Sequence, residues 1–134
     1  MAEPDPELVR FAESAYERIN AADFEGFRAF VHEDVEFTSM VAEAEGTSFH
    51  GHEGLRTWWS TVYGAFEQPH WELLDMQGTA ERGIVKFRLT GSMAGVPIDH
   101  VMWQAARIRD GKLVWWGFFR SEEEARNSGV ERGL

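Results

Sequence analysis

The run IVKFRLTGSMAGVPIDHVMWQAARIRDGKLVWWGFF, residues 84–119, decides how this chain folds. It divides into stretches rich in β-branched and aromatic residues, Ile84 to Gly91, Val96 to Ile108 and Leu113 to Phe119, and turn signals separate them. Met93-Ala94-Gly95 and Arg109-Asp110-Gly111-Lys112 place glycine where a tight reversal needs a positive φ, so the stretches read as strands joined by hairpins. Trp71 to Met76 has the same character, and Glu81-Arg82-Gly83 sets it off from Ile84 as a further strand of the same series.

Toward the N-terminus the apolar period becomes helical. Leu55, Trp58, Trp59, Val62, Tyr63 and Phe66 share one broad face, so Gly51 to Phe66 is predicted to be a helix with Pro69 beyond its end. Val35-Glu36-Phe37-Thr38-Ser39-Met40 alternates apolar and polar positions as a half-buried strand does, and a loop follows from Glu43 to Phe49. Leu8, Phe11, Ala12, Ala15 and Ile19 recur at helical spacing, with Asp5 placed to cap and Pro6 at the first helical position, where its missing N–H costs nothing. Asp23 can cap a short second helix carrying Phe24, Phe27, Phe30 and Val31, which His32-Glu33-Asp34 ends. Ser121-Glu122-Glu123-Glu124 is a capping box for a last helix. This order predicts an α+β fold, a strongly curved antiparallel sheet wrapped on helices to form a cone-shaped cavity, within one domain spanning residues 1–134.

Against 13 basic residues stand 23 acidic ones, a formal charge of -10 that repels phosphate backbones and anionic lipid, so neither nucleic acid nor membrane is an expected partner. No apolar run approaches membrane-spanning length, and Met1 to Pro6 lacks the basic and apolar regions of a secretory signal, which together predict a soluble, cytoplasmic protein. The absence of cysteine removes disulfides, thiolate metal sites and cysteine nucleophiles. His50 and His52 flank Gly51, but without a third ligand they make no metal site, and neither metal nor cofactor is expected. Six Trp and ten Phe exceed what a small core needs merely to exclude water, and the surplus predicts rings around a cavity for a flat hydrophobic molecule.

Three segments carry a family resemblance: Asn20-Ala21-Ala22-Asp23 before a short helix, Gly51-His52-Glu53-Gly54-Leu55-Arg56-Thr57-Trp58-Trp59 opening the third helix, and Pro97-Ile98-Asp99-His100 in a strand. With the element order they make the chain similar, over nearly its whole length, to the nuclear-transport-factor-two-like superfamily, in particular its SnoaL-like and ketosteroid-isomerase-like branches. The resemblance implies a curved-sheet cone, a homodimer through the outer sheet face, and a cavity for a small hydrophobic molecule. It also places Asp99 where the isomerases keep a protonated acid that donates to a developing oxyanion. Two further isomerase positions are not matched: Ser39 stands where their general-base aspartate lies, and Ala15 where their oxyanion-hole tyrosine lies, with Tyr16 one residue away.

If Asp99 faces inward, strand parity turns Val101 and Trp103 inward as well and sends His100, Met102 and Gln104 to the outer, dimerising face. On the last strand the resemblance turns Trp116, Phe118 and Arg120 to the cavity, where Arg120 can pair with Asp99 or an acidic ligand. Phe37 and Ser39 form the first-strand wall, and Trp58, Trp71 and Phe87 complete the expected lining. Asp99 is the candidate acid or hydrogen-bond donor. His50, expected at the cavity rim, is the candidate base, because imidazole titrates near neutrality. Three functions stay open: a cofactor-independent acid–base enzyme of isomerase, cyclase, dehydratase or hydrolase type on a cyclic or polyketide-like compound, a non-catalytic module for an apolar ligand, and a dimeric interaction domain.

Overall fold

The computed structural model of the chain describes residues 3–38 and 49–131. Helix α1 (Pro6–Asn20) starts where the Asp5 carboxylate accepts from the Glu7 N–H, and it buries Leu8, Ala12, Ala15, Tyr16 and Ile19. Asp23 caps α2 (Phe24–Arg28) by accepting from the Gly26 N–H at 2.9 Å. Strand β1 (Val31–Phe37) and the two-residue β2 (Phe49–His50) precede α3 (Gly51–Ala65), which buries Leu55, Trp58, Trp59 and Val62. Four long strands follow, β3 (Phe66–Gly78), β4 (Arg82–Met93), β5 (Val96–Arg109) and β6 (Lys112–Phe119). Helix α4 (Glu122–Glu131) ends the described chain, and the Ser121 hydroxyl accepts from the Glu124 N–H as a capping box requires.

The sheet runs β2-β1-β6-β5-β4-β3, curved and unclosed, with α1, α2 and α3 inside the curve. Its pairings are antiparallel except that of β1 with β6, which is parallel, as the long crossover between these strands allows. His32, Glu33 and Asp34 lie within β1 and do not end a helix. The Leu113 N–H donates to the Phe30 carbonyl at 2.8 Å, so the chain leaves α2 directly into pairing with β6. Ser39 and the expected Glu43–Phe49 loop, up to residue 48, lie outside the described residues.

Hairpin register decides which side of β5 looks into the cone. Phe87 stands opposite Met102 and Val85 opposite Gln104, so Met102, Gln104 and, one pair further, His100 share the concave face. Asp99, Val101 and Trp103 lie on the convex face, the reverse of the orientation expected from the family resemblance. The reason is charge: Asp99, Arg107 and Arg109 all occupy odd-numbered positions of β5 and none of the even-numbered positions is a carboxylate, lysine or arginine. Turning the odd set inward would bury those charges. On the convex face α4 covers Ala105 and Trp115 with Ala125, and Trp103 and Phe119 pack at the edge of that cluster.

Helix α1 is fastened unequally. At its C-terminal end the Asn20 amide donates to the Trp71 carbonyl and accepts from the Trp71 N–H, both at 2.8 Å, so a side chain completes part of the open edge of β3. The Tyr63 hydroxyl also donates to the Ile19 carbonyl. At its N-terminal end the backbone bond from the Asp5 N–H to the Gly78 carbonyl, at 3.1 Å, makes the corresponding link to β3. Among the described residues no helix is long and apolar enough to cross a membrane.

Candidate ligand cavity

Between α1 and the concave sheet lies a cavity of about 40 Å³. Leu8, Ala12, Ala15, Tyr16 and Ile19 reach it from one face of α1, as their helical spacing dictates. Trp71, Val85, Ala106, Trp116 and Phe118 close it from the sheet, and Trp58 from α3. Among the described residues, its side-chain polar groups apart from the indole nitrogens belong to Tyr16 and Gln104, and the Tyr16 hydroxyl donates to Gln104 Oε1 at 2.9 Å. Burial pushes the Tyr16 phenol far above its ordinary value of 10.0, so it stays a neutral donor. Among the described residues the buried Nε1 donors of Trp71 and Trp116 have no hydrogen-bond partner. Such groups are normally satisfied, and each left unpaired is costly.

Trp58, Trp71, Trp116 and Phe118 line this space. Phe37 and Phe87 are packed behind the lining: Phe37 stacks on Trp116 at 4.0 Å and Phe87 tilts against Trp71 at 5.4 Å. Asp99 is elsewhere. The Arg88 guanidinium grips both of its oxygens, at 2.8 and 2.6 Å, on the exposed convex face. That hydrogen-bonded pairing holds the carboxyl below its ordinary range, the opposite of a protonated donor. Val101 is 42% exposed on the same face, and Trp103 lies under the Lys86 ammonium at 5.6 Å.

His50 is exposed and precedes α3 on the edge strand β2. Strands β1 and β6 separate β2 from β5, so three strand spacings, about 14 Å of sheet, lie between His50 and Asp99. Arg120 is exposed beyond β6, where its N–H donates to the Glu124 carboxylate, and it does not meet Asp99. His52 Nε2 lies 2.8 Å from the Val31 carbonyl and ties the start of α3 to β1. The polar pair Tyr16 and Gln104 was not among the expected site residues. Its signals were there, since Tyr16 follows Ala12 by one helical turn and Gln104 belongs to the uncharged parity of β5.

A helix-filled sheet with an apolar concave cavity defines the nuclear-transport-factor-two-like cone class. Residues 12–116 match the SnoaL-like domain, and the chain belongs to that family. No curated protein matches the chain. Among solved structures it is similar to an NTF2-like protein of unknown function from Burkholderia pseudomallei, with 17% identity over 90% of this chain and 95% of that one and a TM-score of 0.76. TerC, co-crystallised with polyporic acid, gives 17% identity over 93% and 98% and a TM-score of 0.75. An LEH-like epoxide hydrolase from M. tuberculosis gives 13% identity over 97% and 93% and a TM-score of 0.71. At these identities the likeness shows the fold.

Proposed function

We propose that the concave cavity binds a flat, mostly apolar small molecule through a hydrogen-bond acceptor such as a ring carbonyl. The observation that carries this is the conjunction of an aromatic lining with unpartnered buried indole donors at Trp71 and Trp116 and a neutral Tyr16–Gln104 pair. An acceptor on the ligand would satisfy donors that the protein leaves open. The SnoaL-like family and the co-crystallisation of the similarly folded TerC with polyporic acid agree with a small-molecule role. Binding takes the place of chemistry at Asp99, because among the described residues the lining contains no carboxylate or imidazole. The same proposal includes a homodimer through the convex face of β5, where Val101 stands exposed.

The matched probes 9-fluorenone and fluorene share a ring framework and differ in one carbonyl. Quenching of tryptophan fluorescence should show fluorenone binding about tenfold more tightly, the worth of one hydrogen bond at roughly 1.4 kcal/mol. Trp71→Phe and Trp116→Phe should narrow that preference, whereas Asp99→Asn should leave both affinities unchanged. Equal binding of the two probes, or no binding of either, would refute the function.

A further inference from the structure

We propose that the cavity selects aryl ketones over the corresponding alcohols, with Tyr16 as a positioning residue that holds the Gln104 amide so that its NH2 edge, and not its oxygen, is offered to the ligand. This rests on the binding function above and adds to it the class of ligand and the residue that sets it.

The open polar groups of the lining are nearly all of one kind. The Trp71 and Trp116 side chains are 4% and 1% exposed, and their Nε1 atoms, which can donate but not accept, have no partner. A third donor follows from Tyr16. Its buried hydroxyl keeps its proton, and among the described residues of the lining Gln104 supplies the one side-chain oxygen that can take it. An amide has one oxygen and one NH2, so committing Oε1 to Tyr16 leaves the Nε2 protons, which make no hydrogen bond among the described residues. Turning the amide over would strand the phenol proton inside the cone, a costly loss. Tyr16 therefore fixes which edge of Gln104 remains open.

Strand register gathers these donors around one ring. Gln104 stands opposite Phe118, and Trp116 stands opposite Ala106, the next position along the same face of both strands. From β3 the Trp71 ring reaches Phe118, with centroids 6.5 Å apart. Trp71, Gln104 and Trp116 all line the one cavity. Among the described residues its side chains thus offer open donors at three points and one open acceptor, the oxygen of Tyr16. A ring carbonyl, with two lone pairs and no proton, can accept from two donors at once. A hydroxyl in its place carries a proton of its own into a wall of rings and alkyl groups, where an unpaired donor is penalised.

9-Fluorenone and 9-fluorenol test the selection. The cavity of about 40 Å³ has room for roughly three waters, so either probe must spread the lining, and for ring systems of one size that cost cancels in the ratio of affinities. By tryptophan quenching the wild-type chain should bind fluorenone about tenfold more tightly than fluorenol. Tyr16→Phe frees the amide to turn its oxygen toward the fluorenol proton, so fluorenol should gain about fivefold while fluorenone changes by less than about twofold. A merely structural role for Tyr16 would weaken both probes alike. Gln104→Met, which leaves α1 untouched, should weaken fluorenone and move the infrared carbonyl stretch of the bound, 13C-labelled probe toward its value in hexane.

Equal binding of fluorenone and fluorenol by a wild-type chain that still prefers fluorenone to fluorene overturns the selection and leaves the binding function standing. Parallel weakening of both probes in Tyr16→Phe overturns Tyr16 as the positioning residue. A carbonyl stretch that is the same in Gln104→Met as in the wild-type chain overturns Gln104 as a donor to the ligand, and a wild-type chain that binds no probe overturns both proposals.

Discussion

Tyr16→Phe and Gln104→Met, singly and together, test whether the polar pair belongs to the inside of the cone. In the wild-type chain the Tyr16 hydroxyl is buried and donates to Gln104 Oε1 at 2.9 Å among apolar neighbours. Tyr16→Phe leaves the Gln104 carbonyl oxygen without its donor, and Gln104→Met leaves the Tyr16 hydroxyl without its acceptor. Each should cost about 1–2 kcal/mol, the penalty for a buried polar group that loses its partner. The double variant removes both groups and should recover part of the loss, giving a coupling of about 1 kcal/mol in urea denaturation and a Tm drop near 5 °C for either single change. Simple additivity within about 0.3 kcal/mol would place Gln104 away from Tyr16 and refute the register of β5.

The same pair has a pH signature. Burial raises the Tyr16 pKa far above 10.0, so above that pH the unfolded chain loses a proton that the folded chain keeps. The resulting stability is fully present below pH 10 and is lost as pH rises. The slope approaches about 1.4 kcal/mol per pH unit for so buried a group. Tyr63, half-buried and pushed up to about 12, adds a smaller loss after solvent screening. Denaturation midpoints between pH 9 and pH 11 should therefore fall for the wild-type chain and fall less steeply for Tyr16→Phe.

Asn20→Ala removes both hydrogen bonds to the Trp71 backbone and should cost about 1–2 kcal/mol, since water can reach the edge strand and partly replace them. Hydrogen exchange at the Trp71 amide should rise in step, and unchanged protection there would dismiss Asn20 as an edge clamp. Val101→Arg adds a cation beside Arg88 on the proposed dimer face, so sedimentation equilibrium should report a dimer for the wild-type chain and a monomer for the variant. A monomer in both cases would remove the homodimer.

The apolar periods of this chain were enough to place most of its elements. Helical spacing at Leu8, Ala12, Ala15 and Ile19 and strand runs broken by Met93-Ala94-Gly95 and Arg109-Asp110-Gly111-Lys112 appear in the structure where the sequence puts them, because capping and turn chemistry act over a few residues. The cavity rings Trp58, Trp71, Trp116 and Phe118 were legible for the same reason, being the large apolar members of their periods.

Asp99 was not legible. A local likeness at Pro97-Ile98-Asp99-His100 suggested an inward acid, whereas the partner that determines its state, Arg88, comes from the neighbouring strand through the hairpin register. Strand parity leaves two orientations for β5, and its balance of charges already favoured the one that keeps Asp99, Arg107 and Arg109 outside. Which side chains then meet, Tyr16 with Gln104 and Leu8 with Gly83, only the packing of α1 on the sheet could decide. Sequence by itself determined the elements and the apolar character of what they enclose, since both follow from local propensity and periodicity. Tertiary structure alone decided which polar groups share that enclosure, because a hydrogen bond between residues 16 and 104 depends on the positions of a helix and a strand that no local pattern records.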